Sequence, residues 1–508
     1  MSLLQLLAEL GVRQVSRFLA HLSAGLHRRH APHYPVTVAP PIQADEMTNW
    51  WTSEARWYTG ETPPSKRHAV VPLVDGEHFF SALAEAMSNA QDYIYVVGWC
   101  FTPHMPLQRS DHASWIESQV VNLLSEAAQR IPVRILLWSG APAFFEPTVR
   151  TVQEMQAIVQ KHGKGDLRCR LDYTATAPHC HHQKAIVIDG QIAFVGGMDI
   201  TTFLGDRWDT QRHPLRLGPN WHDVQLSIRG DGVADVEENF RQRWIAATGD
   251  TGLPHRDPVC DPSWHVPIQI VRTIPAGIYA FAPDGHFGTR HAYIEAINAA
   301  HHTIYIENQY IWDTAIVQAL VDAIRRPRQG AFHIVIVLPA RAEDGKLDND
   351  QHVKILRAAD GSRTMVSVFS LYSSGPGAGT RPFSYRPTYV HSKVAIFDDE
   401  WAIVGSSNLN NRGLARDSEL NVLIHDHNFA HELRVSLWAE HLGLSEDEVR
   451  ATDPGALVAN AWQPNARVNK QIMESGLGPL RGAVHEYETG RMPGTWLFEA
   501  AEALTFDL

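Results

Sequence analysis

The feature that most constrains this chain is that it repeats itself. His182-Gln183-Lys184-Ala185-Ile186-Val187-Ile188-Asp189 and His391-Ser392-Lys393-Val394-Ala395-Ile396-Phe397-Asp398 carry the same polar residues at the same spacing, 209 residues apart. Gly196-Gly197-Met198-Asp199 and Gly405-Ser406-Ser407-Asn408 keep that offset, and Ala90–Val97 resembles Ala300–Glu307 at an offset of 210. A repeat on this scale implies two copies of one folding unit, and any fold has to place both.

Each copy shows the same order of patterns. Helix-period segments Phe79–Ala90 and Ala292–Ala300 precede the short apolar runs Tyr93–Val97 and Thr303–Ile306. Further helical stretches, Trp115–Gln129 and Ile316–Arg325, lead into the buried-type strands Val133–Trp138 and His333–Leu338. Strands alternating with helices predict an α/β class, with an α/β sandwich in each of two pseudo-symmetric halves. Proline-rich seams at Thr62-Pro63-Pro64 and Asp257–Pro267 divide the chain. The divisions are an N-terminal amphipathic segment (1–60), a first half (61–256), a second half (268–450) and a C-terminal extension (451–508).

On an extended strand, residues i and i+2 share a face, so His182 points with Lys184 and His391 with Lys393. The residues after each lysine are apolar, and a lysine on a buried strand is costly unless it meets an anion. A histidine beside that anion supplies a nucleophile or a proton carrier, which suits phosphoryl chemistry. One His-x-Lys is commonplace; two in register, each with an aspartate five residues on, are not. Asp189 and Asp398 stand with the catalytic motif, yet they lie an odd number of residues after the lysine. They are therefore expected to face away, as supports through backbone hydrogen bonds or a salt bridge. The strand Trp221–Ile228 aligns with Asp417–Ile424 at an offset of 196, which sets Asp223 opposite Glu419.

The two motifs resemble the signature of the phospholipase D superfamily: His-x-Lys-x4-Asp, followed by Gly-Gly or Gly-Ser and then Asn or Asp. The resemblance runs from about residue 70 to about residue 445. It extends to Ile304-Tyr305-Ile306-Glu307-Asn308-Gln309-Tyr310, Arg207-Trp208-Asp209-Thr210, Trp221-His222-Asp223-Val224 and Asn239-Phe240-Arg241-Gln242-Arg243-Trp244, which look like eukaryotic-type phospholipases D. It implies a pseudo-dimer with both motifs at one cleft and a two-step exchange through a phosphohistidine. By analogy His182 is the nucleophile and His391 the acid/base, although the pseudo-symmetry also allows exchanged roles. Lys184 and Lys393 would hold the non-bridging oxygens with Asn408, and Ser406 would support the phosphate site. Asp199, at the position of Asn408, would accept hydrogen bonds or bridge to a lysine. Asp223 and Glu419 resemble the family's histidine-orienting acids. Nothing upstream of Val70 has the length of a calcium-binding or phosphoinositide-binding domain, so recruitment by such domains is not expected.

Composition narrows the alternatives. With 44 Lys+Arg against 56 Asp+Glu, the net charge of −12 disfavours nucleic acid as a partner. A nucleic-acid phosphodiesterase is thus a weaker reading than phospholipid headgroup hydrolysis or exchange. A cardiolipin-synthase-like phosphatidyltransferase shares the chemistry, and a non-catalytic binding protein would be expected to have lost a motif residue. Neither a metal nor a cofactor is called for, since His179-Cys180-His181-His182 alternates faces and has no metal-ligand partner nearby. Four cysteines in 508 residues do not make a disulfide framework. A monomer acting on a phospholipid surface is expected, cytoplasmic or peripheral to a membrane, and a secreted effector would share these features. The leucines of the first 26 residues repeat at helical spacing, which fits either a helix docked on the protein's own core or an interfacial membrane helix. Trp99 and Trp208 are open to core packing or to contact with an acyl chain or headgroup.

Overall fold

Branched apolar residues fill consecutive positions around both motifs, which predicts strands buried on both faces. The computed structural model bears this out. It describes residues 57–490 apart from 59, 110–111, 141–150, 156, 158–164, 176–178, 204, 217, 343–344, 362–363 and 378–381, with the side chains of 112–114 also outside the description. The amphipathic segment therefore lies outside the described residues up to position 56.

In the first half the strands are β1 (His68–Val74), β2 (Ile94–Gly98), β3 (Val133–Trp138), β4 (Leu167–Asp172), β5 (Ala185–Ile188), β6 (Ile192–Gly196), β7 (Asn220–His222) and β8 (Val224–Gly230). The second half supplies β9 (Ile268–Ile274), β10 (His286–Phe287), β11 (Thr303–Glu307), β12 (His333–Val337), β13 (Val366–Pro376), β14 (Phe383–Val390), β15 (Val394–Phe397), β16 (Trp401–Gly405), β17 (Glu419–His425) and β18 (Val484–Glu486). Among the described residues, one sheet runs β1-β8-β6-β5-β2-β3-β4 and the other contains β9-β17-β16-β15-β11-β12-β13. Strand for strand these are the same order, so the repeat in the sequence is a repeat in topology. The mixed α/β architecture in two halves is the one expected.

Alternation along the strands sorts the cores. In β5 and β6, Val187, Ala193 and Val195 face one way, toward an inner core that also holds Val394, Ile396, Ala402 and Val404 of β15 and β16. Ile186, Ile188, Ile192 and Phe194 face the opposite way, onto α1 (Asp75–Ser88) and α2 (Val120–Ala127). The second sheet covers its outer face with helices α4 (Gly288–Ala299), α5 (Thr314–Arg325) and α6 (Lys346–Asp360). Two long helices, α3 (Gly232–Thr248) and α7 (His427–Leu442), contribute Phe240, Trp244, Leu433 and Trp438 to the inner core.

Three details differ from the sequence reading. The expected helix Trp115–Gln129 is broken, because Ser118 Oγ exchanges hydrogen bonds with the backbone of Gln108 and Gln119 bridges to Pro106. The expected strand Trp221–Ile228 is two strands: β8 stays in the first sheet, while β7 crosses to pair in parallel with β14 of the second. Residues 451–490 are not an appended piece. Trp462 is fully buried in the inner core and β18 pairs with β13.

Asp189 and Asp398 occupy matching hairpin turns. Asp189-Gly190 have φ of 57° and 64°, Asp398-Asp399 both 54°, and each turn closes on a hydrogen bond, Gln191 N to Ile188 O and Glu400 N to Phe397 O. Two consecutive positive φ values define the hairpin turn whose twist suits the flanking strands, and aspartate and glycine tolerate it. From there the Asp189 carboxylate accepts from the backbone N–H of Gln91, Asp92 and Tyr93, and Asp398 from His301, His302 and Thr303. Both carboxylates are thus committed to fastening the turn ahead of β2 and β11. They belong to the motif but are structural, which corrects their place in the catalytic set. Asp189→Ala is expected to cost about 2 kcal/mol in denaturant unfolding by stranding these donors. Whatever activity the protein has per folded molecule should survive.

Candidate active site

The two His-x-Lys segments sit just ahead of β5 and β15 rather than inside them. Their backbone groups pair with the opposite half instead. His182 N donates to Ser418 O at 2.9 Å, and Ser418 N donates to Cys180 O at 2.9 Å. In the second motif His391 N donates to His222 O at 2.8 Å, continuing the β7–β14 ladder in which Val390 faces His222. The parallel bridge between His181 and Ser418 is its counterpart. In each case the next residue along the two chains is an imidazole beside a carboxylate.

That register produces a crossed arrangement. His182 Nδ1 lies 2.9 and 3.1 Å from the carboxylate oxygens of Glu419, and His391 Nδ1 lies 2.7 Å from Asp223 Oδ2. Each half supplies the carboxylate for the other half's histidine. With Nδ1 engaged, Nε2 is the ring nitrogen left to face a substrate. The extended i, i+2 geometry survives: Gln183, between His182 and Lys184, turns the other way to Asn239 and Arg243.

The glycines and serines after the motif fit these carboxylates. A Cβ on Gly197 would sit 2.0 Å from Asp223 Oδ1, so only glycine admits the aspartate there. The equivalent residue is Ser406, whose Oγ donates to Glu419 Oε2 at 2.5 Å and accepts from Leu420 N. Ser406 therefore holds the acid that holds His182.

The lysines differ. Lys184 Nζ lies 3.1 Å from Asp199 Oδ2 and donates to His182 O at 2.9 Å, while Asp199 Oδ1 accepts from Trp99 N and Cys100 N. Lys393 donates to His391 O, and among the described residues no carboxylate lies within ion-pair distance of it. Asn408 takes the place of Asp199 in the second half, and its buried Oδ1 makes no hydrogen bond.

Burial pushes Lys393 down to about 7, with Lys184 and Arg207 adding to the effect and Asp223 and Glu419 opposing it. Burial also drives both imidazoles well below 6.5. Lys184, Lys393 and His391 add to this at His182, and Lys393, Arg207 and Lys184 at His391. Each ring thus feels both ammonium groups, so the two motifs share one electrostatic site. Burial raises Asp223 and Glu419, and neighbouring lysines pull them back.

Several contributors escaped the sequence reading. Arg207 is buried with its guanidinium carbon 3.5 Å from the ring centre of Trp221, which lies 5.2 Å from His391. Trp99 is 6.3 Å from His182, at the site, whereas Trp208 stacks on Arg109 at 4.9 Å. Behind the first motif, His181 Nδ1 meets Ser418 Oγ and its Nε2 lies near Asp172 and Tyr279. Arg207 and Trp221 precede Asp223 where the repeat offset falls from 209 to 196, a 13-residue insertion in the first half. That change of offset was the available signal.

Comparison with known proteins agrees with this geometry. Residues 86–219 match the family model "Phospholipase D", and residues 293–440 match "Cardiolipin synthase, PLD-like domain". The chain belongs to the phospholipase D superfamily. It is 27% identical over 481 residues to phospholipase D A of Dictyostelium discoideum, covering 75% of this chain and 36% of that one. It is also 27% identical over 454 residues to cardiolipin synthase A of Pseudomonas aeruginosa, covering 86% and 82% respectively. Among solved structures, phosphatidylserine synthase of Haemophilus influenzae superposes with a TM-score of 0.50 at 13% identity, over 82% of this chain and 98% of that one. The fold is shared.

Ring-nitrogen NMR of the substrate-free protein should find His182 and His391 still neutral at pH 6.5. Glu419→Gln should alter the tautomer of His182 and Asp223→Asn that of His391. The reverse assignment would contradict the crossed pairing.

Proposed function

We propose that this chain is a phosphodiesterase of the phospholipase D type, acting on phospholipid headgroups by hydrolysis or by exchange with an alcohol. The observation that carries the reading is the pair of imidazoles, each backed by a carboxylate, beside a buried lysine, Lys393, with no carboxylate at ion-pair distance among the described residues. A buried ammonium group of that kind calls for an anion, and a phosphodiester supplies one.

The steps this reading assigns take His182 as nucleophile and His391 as acid/base by the family resemblance. The non-bridging oxygens meet Lys393 and Lys184, assisted by Asn408. The bound anion offsets the two cations and so raises His391 toward its protonated form. His182 Nε2 attacks phosphorus, the bond to the leaving alcohol breaks, and His391 gives that alcohol its proton. The phosphohistidine is then attacked by water or an acceptor alcohol as His391 takes the incoming proton. The P–N bond breaks and His182 is restored. Asp223 and Glu419 hold the rings and stabilise the imidazolium forms, and Arg207 adds positive potential on the His391 side.

A phosphatidyltransferase reading has support of its own. The Pseudomonas relative named a cardiolipin synthase is matched over 82% of its length, far more than the Dictyostelium phospholipase. The two readings differ only in the acceptor. Among the described residues no helix is long and apolar enough to cross a membrane, so approach to lipid would be at a surface.

Mixed liposomes with ethanol decide the acceptor: phosphatidylethanol would mark exchange, free headgroup alone hydrolysis, and a phosphatidylglycerol-dependent cardiolipin product the transferase. His182→Ala should lose about 10³-fold or more. Undiminished turnover by that variant would remove the motif from the mechanism. With a labelled phosphodiester whose leaving group needs no proton, such as a nitrophenyl ester, His391→Ala should accumulate label on His182, and label on another histidine would reassign the nucleophile. Because Lys393 is charged only below about 7 in the empty site, kcat/KM should fall as pH rises through neutrality. Lys393→Arg should move that fall to higher pH, since guanidinium keeps its proton.

A further inference from the structure

Behind the Asp223–His391 pair lies a second cluster that the phosphoryl chemistry does not use. Asp75 at the start of α1, His213 from the insertion, His222 from β7 and Glu440 from α7 converge with side chains at most 4% exposed. His213 Nε2 lies 3.4 Å from Asp75 Oδ2 and 3.2 Å from Glu440 Oε1. His222 Nδ1 lies 3.1 Å from Asp75 Oδ1 and 3.1 Å from Glu440 Oε1. These spacings are close to the ~3.3 Å ligand-to-ligand edge of a tetrahedral zinc ion with bonds of about 2.0 Å, although Asp75 presents a different oxygen to each histidine and His213 Nε2 is hydrogen-bonded to Glu440 Oε1.

Two independent observations point the same way. Asp75 Oδ2 and Glu440 Oε2 are buried and make no hydrogen bond, although each sits in this crowded polar space. Each imidazole also has a further carboxylate on its far nitrogen. Glu307 Oε2 is 2.9 Å from His222 Nε2, and Asp209 Oδ2 is 3.3 Å from His213 Nδ1. A carboxylate behind the imidazole is what fixes the tautomer and raises the basicity of a metal-ligating histidine.

We infer that Asp75, His213, His222 and Glu440 bind one divalent cation of the zinc class. Four protein donors leave no open position, so the ion is structural. Its place gives it a use: Asp75 N donates to Asp223 O at 2.8 Å, Asp223 N donates to Asp75 Oδ1 at 3.1 Å, and His222 O accepts from His391 N and Ser392 N. The ion would brace from behind the segment that orients His391.

The test is metal analysis of the tag-free full chain, as purified and after chelation and refilling with zinc. One zinc per chain is expected, with an X-ray absorption spectrum fitted by two imidazoles and two oxygens, and a melting temperature that zinc raises. His213→Ala and Glu440→Gln should each lose the ion, while a His182→Ala/His391→Ala double variant keeps it. A folded wild-type protein that holds only traces of metal, and whose melting temperature zinc leaves unchanged, would overturn the inference and leave a proton-balanced ion network. Loss of zinc from the double variant with retention in His213→Ala would overturn it too.

Discussion

Each of the two motif imidazoles, His182 and His391, depends on a carboxylate that the opposite half supplies. The pairing is set by backbone: His182 N bonds to Ser418 O and His391 N to His222 O, and one residue further on the ring meets its acid. A slip of one residue in either contact would turn the acid to the other face. The site thus rests on strand register across the interface between halves, and the inner core of both sheets exists to hold that register.

Within the pseudo-symmetry the two sides are not equal. Glu419 has the hydroxyl of Ser406, where Asp223 has only the space left by Gly197. Lys184 has Asp199, where Lys393 has no carboxylate at ion-pair distance among the described residues and feels Asp223 and Glu419 only from further off. Arg207 acts on His391, Lys393 and Asp223. The insertion in the first half supplies Arg207 and precedes the β7 segment that crosses to the second sheet. Such inequality suits a reaction that asks one imidazole to bond to phosphorus and the other to move protons.

Much of this was legible in the residues. The constant offset identified equivalent strands, and the second offset set Asp223 against Glu419 before any geometry was known. Alternation along an extended chain also placed Asp189 and Asp398 away from the lysines, and the Asp189-Gly190 pair is a hairpin signal. Which acid serves which ring was not legible, since crossing is a property of register between residues 237 positions apart. Nor was the division of Trp221–Ile228, because β7 and β8 share one apolar pattern and only the partner strand tells them apart. His213, without a counterpart in the other half, carried no repeat signal at all.

The crossing also shapes how such a protein can change over generations. Neither half can be altered, lost or replaced without disabling the other's histidine, so the two copies of the ancient unit are bound to evolve as a couple. The same exchange of acids across a two-fold axis would work between two separate chains, each carrying one motif. In a single polypeptide the two copies need not be identical, and the 13 extra residues of the first half are one such difference.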